Sequence, residues 1–348
     1  MDKYKVAIVI PCWNSSMFIK PMLDSVLRQT FTDFRVICVD DQSEDNTFSI
    51  LQEYAKKDNR INAICRNRLP KGAPTCRNIG FDYSEGAEYV IWFDSDDIIS
   101  PYCIEQRVNF MDSHPDLDFA CFKAKTFKND PSETENVYLF GYEYPFADDL
   151  SRTIRRNNPF GGWELIHRRS SLLKNDIQWD ERLLSYQDVD LILQLFKKGL
   201  TYAYAKESKI DYFYRIGYRP YSITLNKFTD ADKASDLYFI NKLYNNLTTL
   251  QRQKYSYDID GYILNYVALF YKDNTFIRKL LQLDLLKEKK WFTFRIKICC
   301  QMLKLINKRK ARHLFFPLNY LYRINDDKNY RKYRSNQLKM EIERGFSW

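Results

Sequence analysis

Tyr89-Val-Ile-Trp-Phe-Asp94-Ser-Asp96-Asp97 carries an apolar, strand-like run straight into three carboxylates within four residues. Carboxylates this close repel and raise one another's pKa, so a chain that keeps them folded sets them against a cation or hydrogen-bond donors. Hard oxygen ligands suit Mg²⁺ or Mn²⁺, and Mg²⁺ takes one or two protein carboxylates while water and substrate phosphates fill its shell. The stretch therefore points to a metal-bound diphosphate. A strand followed by a solvated acidic turn, with Asp97 capping the next helix, is the competing reading.

Working outward, Val6–Ile10, Phe34–Val39 and Ile61–Cys65 are also short, β-branched and apolar. Between these runs lie helix-spaced apolar residues: Phe18, Met22, Val26 and Leu27 on one face, Phe48, Leu51, Tyr54 and Ala55 on another. Near-continuous hydrophobicity, rather than strict alternation, predicts an α/β fold with a central, mostly parallel sheet buried on both faces. Ligands bind such sheets beyond the carboxyl ends of the strands. That rule draws Pro11-Cys-Trp-Asn14, Asp40-Asp-Gln-Ser43 and Asp94–Asp97 onto one rim.

These segments, in order, resemble the family-2 glycosyltransferases, inverting enzymes of the GT-A nucleotide-sugar-binding fold. Residues 6–14 look like that family's opening strand and Pro-x-Tyr-Asn turn, with Trp13 where Tyr is usual. Gln29–Phe34 with Val39–Asp45, then Gly72–Gly80 with Arg77-Asn78, and then the Asp-x-Asp of Asp94 and Asp96 follow the family pattern. So do Gly161-Gly-Trp163, Tyr186-Gln-Asp188-Val-Asp-Leu191 and Tyr214-Arg215 through Ser222-Ile-Thr224. The resemblance covers residues 4–225, and Gln187 stands where the family has Glu, which weakens the support expected beside Asp188.

The resemblance implies metal ligation by Asp94 and Asp96, with Asp96 and Asp97 the alternative pair. It implies that Pro11, Trp13, Asn14, Asp41, Lys71, Arg77 and Asp94 contact the nucleotide sugar, with Asp41 accepting from a base edge such as the uracil imide. Asp188 becomes the general base that deprotonates an acceptor hydroxyl in a single displacement. Each residue has a plainer reading: Asp41 a helix-entry turn, Lys71 and Arg77 solvated charges, Asp188 an N-cap with Asp190 beside it.

Composition limits the setting. The 348 residues, 45% of them hydrophobic, suffice for a sizeable core. The chain opens with no charged-then-apolar leader and holds no spanning apolar run, so the expectation is a cytoplasmic site, peripheral on the inner membrane face. Eight Cys without a CxxC pair read as small core residues, Cys38 and Cys65 among them, and with only three His a histidine-based triad or metal cluster is not expected. Residues 275–348 hold 19 Lys and Arg against six Asp and Glu, a net +13, leaving residues 1–274 at −4. Interleaved with Trp291, Phe294, Ile298, Phe315 and Phe316, and including the Lys308–Arg312 cluster, these cations have the pattern of basic amphipathic helices, suited either to a membrane surface or to packing on the catalytic domain with a solvated charged face. No recognition motif accompanies the charge, so nucleic acid is not an expected partner.

The resulting expectation is a catalytic domain over 1–225 and a mostly helical basic extension over 226–348. An irregular insertion is expected over 128–160. The expected reaction is metal-dependent transfer from a nucleoside diphosphate sugar to a glycan or lipid-linked glycan in bacterial surface polysaccharide assembly. A non-catalytic scaffold of the same fold is the alternative, disfavoured by the retained Asp94, Asp96 and Asp188. A nucleotidyltransferase would carry a Gly-rich phosphate loop after the first strand, which Pro11–Ser16 is not.

Overall fold

The computed structural model describes residues 3–135, 137–145, 147–154, 158–217, 229–305 and 317–345. The four apolar runs form β1 (Tyr4–Cys12), β2 (Phe34–Asp40), β3 (Ile61–Cys65) and β4 (Ala87–Trp92), all paired in parallel. Helices α1 (Ile19–Leu27), α2 (Thr47–Lys57) and α3 (Ala73–Asp82) connect them. Alternate residues of β1 enter opposite cores. Val6, Ile8 and Ile10 pack with Met22, Val26 and Leu51 from α1 and α2, while Ala7 and Val9 pack with Cys76 and Ile79 from α3. Apolar side chains are thus needed at every position of this strand, which is why its sequence shows no alternation.

The chain continues through β5 (Ile98–Ile99), α4 (Cys103–Ser113), β6 (Phe119–Cys121), β7 (Ala124–Phe127), β8 (Leu139–Phe140) and α5 (Asp149–Ile154). It then forms a 3₁₀ turn (Gly162–Glu164), β9 (Leu165–Arg168), α6 (Arg169–Lys174), α7 (Gln187–Lys197), β10 (Tyr202–Tyr204) and β11 (Tyr212–Arg215). The main sheet has seven strands in the order β10-β6-β9-β4-β1-β2-β3, with β9 antiparallel to β4 and β6. A second sheet runs β5-β11-β7-β8. Asp94–Asp97 is the link between them, since it joins β4 of the first sheet to β5 of the second.

Helices dominate the rest: α8 (Asp230–Asn246), α9 (Thr249–Lys254), α10 (Ser256–Phe270), α11 (Asn274–Leu280), α12 (Asp284–Glu288), α13 (Lys290–Leu305) and α14 (Pro317–Arg344). The chain divides into two compact units: Met1–Pro145 with Pro159–Asn226 and Ser335–Trp348, and Phe146–Asn158 with Lys227–Arg334. The expected 225/226 boundary, Ser222–Thr224, the Lys308–Arg312 cluster, Phe315 and Phe316 lie outside the described residues.

Two expectations need correction. The 128–160 segment contains β8 and α5, because Leu139 pairs into the second sheet and Arg152 and Thr153 are buried. In the second unit, Asp148 receives the Tyr255 hydroxyl at 2.9 Å and Ser151 bonds Asp258 at 3.2 Å, tying α5 to the start of α10. Cys38 is buried as expected, but Cys65 is exposed, because it ends β3 at the edge of the sheet.

Candidate active site

The loops that leave β1, β2 and β4 are tied together by short polar side chains. Asn14 N–H donates to Ser43 Oγ at 2.9 Å, and Asn14 Oδ1 accepts from Glu44 N–H at 2.9 Å. Ser15 N–H donates to Thr47 Oγ1 at 2.7 Å, while Ser15 Oγ and Ser95 Oγ share a hydrogen bond of 2.8 Å. Pro11 is buried near the end of β1, whereas Trp13 is 46% exposed with Lys71 Nζ 4.6 Å from its ring centroid. The fold thus brings the expected Trp13 and Lys71 into contact and gives Asn14 a loop-bracing role.

Asp41 lies at the same edge, buried and ion-paired with Arg66 Nε. Arg66 was not singled out from sequence, because a lone arginine usually reads as surface charge. A signal existed: parallel register sets Asp40 opposite Cys65, so the next residues of the two strands meet.

Arg77 on α3 binds in two directions. One guanidinium nitrogen donates to Asp94 Oδ1 at 2.7 Å and another to Gln187 Oε1 at 2.9 Å, with the group 4.3 Å from the Trp179 ring. It joins the end of β4 to the first turn of α7. Gln187, the departure from the family pattern, therefore still supports this turn, through a neutral acceptor.

Asp188 is partly buried one residue further on, and its Oδ1 accepts from Gly162 N–H at 3.3 Å. A Cβ at Gly162 would lie 2.7 Å from that oxygen and 3.0 Å from Trp179, so the backbone approaches the carboxylate closely only as glycine. Burial, with Asp94 assisting and Arg77 and the Gly162 N–H opposing, pushes Asp188 up to about 6. The N-cap of α7 is Tyr186, with φ 60°, so Asp188 sits inside the first turn and does not cap it. Asp190 is buried and accepts from Gln194 at 2.8 Å.

The two further carboxylates of the Asp94–Asp97 loop differ. Asp96 reaches solvent, yet enough protein surrounds it that burial, with Asp94 adding repulsion, pushes it up to about 6. Asp97 is fully buried, accepting from the Tyr212 hydroxyl at 2.5 Å and from Arg215 N–H at 2.7 Å. Burial pushes it well above the usual carboxylate range. Each of its oxygens accepts one hydrogen bond, and β5 follows directly where the helix-cap reading expected a helix. Around it, Trp163 lies parallel to Tyr214 at 4.8 Å, and Tyr212 packs on Phe93 at 5.1 Å. The Tyr214 phenol is pushed well up by burial and then by the negative charges of Asp97, Asp94, Asp96 and Asp188. Sequence singled it out only as part of a closing segment.

Among the described residues no three His, Cys, Asp or Glu side chains form a complete metal cage. Asp94 and Asp96 nevertheless offer hard oxygens from one turn, and Asp96 is repelled by Asp94. That donor set fits a Mg²⁺ or Mn²⁺ ion whose remaining positions go to water and phosphate oxygens.

Residues 7–175 match the family model described as Glycosyl transferase family 2. Over 189 residues, 53% of this chain and 31% of the relative, the chain is 31% identical to the poly(ribitol-phosphate) beta-N-acetylglucosaminyltransferase TarS of Staphylococcus aureus strain Mu50. Over 200 residues, 56% of each, it is 37% identical to the uncharacterized glycosyltransferase EpsJ of Bacillus subtilis strain 168. It therefore spans less than two thirds of either relative. The crystal structure of S. aureus TarS 1–349 in complex with UDP-GlcNAc matches with a TM-score of 0.59 at 18% identity, covering 86% of this chain and 91% of that one. That likeness carries the fold, a GT-A arrangement. With its ordered strand-end motifs inside the matched segment, residues 7–175, just under half of this chain, match glycosyltransferase family 2.

Proposed function

We propose that the protein is an inverting glycosyltransferase that moves a sugar from a nucleoside diphosphate donor, a UDP-sugar first among them, to the hydroxyl of a glycan or lipid-linked glycan acceptor. The setting is assembly of a bacterial surface polysaccharide, with the site on the cytoplasmic side. The observation that carries this reading is the chain Asp94–Arg77–Gln187, with links of 2.7 and 2.9 Å, which holds the acidic strand end and the turn bearing Asp188 in one frame. The family match over residues 7–175 and the likeness to TarS support it.

In this reading Trp13 and Pro11 flank the base, Asp41, oriented by Arg66, accepts from its edge, and Lys71 lies beside the nucleotide. Arg77 orients Asp94. Asp94 and Asp96 would hold a Mg²⁺ or Mn²⁺ ion, which when bound would supply Lewis-acid neutralisation of charge on the diphosphate. Asp188, held by the Gly162 N–H, takes the proton of the acceptor hydroxyl as that oxygen attacks the anomeric carbon from the side opposite the leaving group. One displacement inverts the configuration.

The test is a thermal-shift panel of nucleoside diphosphate sugars with and without Mn²⁺, since a ligand selective for the folded state raises apparent stability by mass action. Metal-dependent stabilisation by one donor is expected. No response to any donor sinks the reading and favours a scaffold.

A further inference from the structure

Helix α13 has two apolar faces, and folding uses one of them. Phe292, Ile296 and Cys300 are buried, four residues apart, and the helix packs on α10 and α12. Thr293 Oγ1 donates to Leu286 O at 2.5 Å, and Lys289 binds Asp260 at 2.6 Å, which fixes the helix in its own unit. On the opposite side Trp291, Phe294 and Ile298 are 71, 52 and 36% exposed. At 100° per residue these three fall within one arc of about 60°. Trp291 and Phe294 stack on each other at 5.6 Å, so the pair is a preformed apolar ridge standing in solvent.

Along the helix itself the charge beside that ridge has one sign, while Asp260 of α10 lies near Arg295 and binds Lys289. Exposed Lys290 and Lys297 flank it on one side and exposed Arg295 on the other. Residues 289–305 contain no Asp or Glu. An aromatic ridge bordered by cations, with no acid on the same helix, matches the interface of an anionic bilayer, where indole and phenyl rings enter the headgroup layer and Lys and Arg meet lipid phosphates. A protein partner of ordinary composition offers no reason for the missing acids, and nucleic acid offers none for an exposed ridge of apolar side chains.

We propose that the Trp291-Phe294-Ile298 face of α13, with Lys290, Arg295 and Lys297, is a docking surface for anionic phospholipid. The surface acts independently of the transfer reaction, so its test needs no donor or acceptor. The full chain is sedimented with vesicles of phosphatidylcholine containing about 30% phosphatidylglycerol, and with phosphatidylcholine alone. Binding to the anionic vesicles is expected, weakening with salt, with little to the neutral ones. Trp291→Ala with Phe294→Ala lowers partitioning about tenfold or more, as does Lys290→Glu with Arg295→Glu and Lys297→Glu. All five side chains are exposed, so the melting temperature stays unchanged and separates lost docking from lost folding. Brominated lipid quenches tryptophan emission in the parent and much less in Trp291→Phe. Equal partitioning of parent and variants, or equal binding to neutral vesicles, overturns the proposal. So does self-association that Trp291→Ala abolishes without any vesicle binding, which would give the face to a second copy of the chain.

Discussion

Strand β11 separates two charged clusters that treat burial in opposite ways. Just before it, Asp211 and Arg107 form a pair with both side chains fully buried, joined by two bonds of 2.9 and 2.8 Å. Gln106 donates to the same carboxylate at 2.8 Å, and the remaining Arg107 nitrogen donates to Trp163 O at 2.9 Å. Beyond the strand, Asp96, Asp97 and Asp188 are all shifted upward, with Arg77 opposing the shift at Asp188 and Arg215 at Asp96. The first cluster is complete within the chain. In the second, burial and mutual repulsion outweigh the opposing arginines, a pattern that clusters at functional sites.

The sharpest way to break this contrast is Asp211→Ala, which leaves Arg107 buried without its carboxylate. Stability in urea is expected to fall by about 3–5 kcal/mol; a loss under about 1 kcal/mol would mean that the pair is no scaffold. Asp188→Asn should do the reverse. Sugar transfer is expected to fall by on the order of 10²–10⁴, the contribution of a positioned base, with donor binding kept. Stability should rise meanwhile. The folded value of about 6 exceeds the ordinary 3.8, so the proton stabilises the fold fully below 3.8 and this is lost as pH climbs through 6. Asparagine keeps the bond from Gly162 without that loss, so at pH 8 the variant should gain on the order of 1–2 kcal/mol. A less stable Asp188→Asn would contradict the buried, uncompensated charge.

Two smaller changes sharpen the picture. Gly162→Ala puts a methyl 2.7 Å from Asp188 Oδ1 and should lower kcat about tenfold, with KM for the donor little changed. Gln187→Glu adds a negative charge next to Asp188. In the parent, kcat/KM should fall as pH drops below about 6, because the base takes up its proton. In the variant that limb should move up by about half a pH unit, and an unmoved limb would assign it to another group.

Much of the nucleotide half could be read in one dimension. β1 to β4 and the faces of α1 and α2 appeared as apolar runs because burial on both sides demands apolar residues throughout. The rim was legible for a related reason, since polar residues right after such strands fall at one edge of a parallel sheet. The second sheet was not legible. β5 and β8 have two residues each, too short for any period to register, and Tyr212 was passed over while Tyr214 entered only as part of a closing segment. Likewise α5 and the exposed Cys65 depend on neighbours that local composition does not reveal.

Short-range pattern alone revealed the strands of the first ninety residues, the acidic turn at Asp94–Asp97, the basic excess after residue 275 and the family resemblance. Such features are local, because periodicity, charge and motif spacing are properties of neighbouring residues. The folding together of distant segments settled that Arg77 bridges Asp94 and Gln187 across 17 and 110 residues, and that Asp97 is held by Tyr212 and Arg215. It also decided which face of α13 the core consumes and which it leaves to solvent. Hydrogen bonds and burial act over a few ångströms, so which side chain meets which is settled once the chain has folded distant segments together.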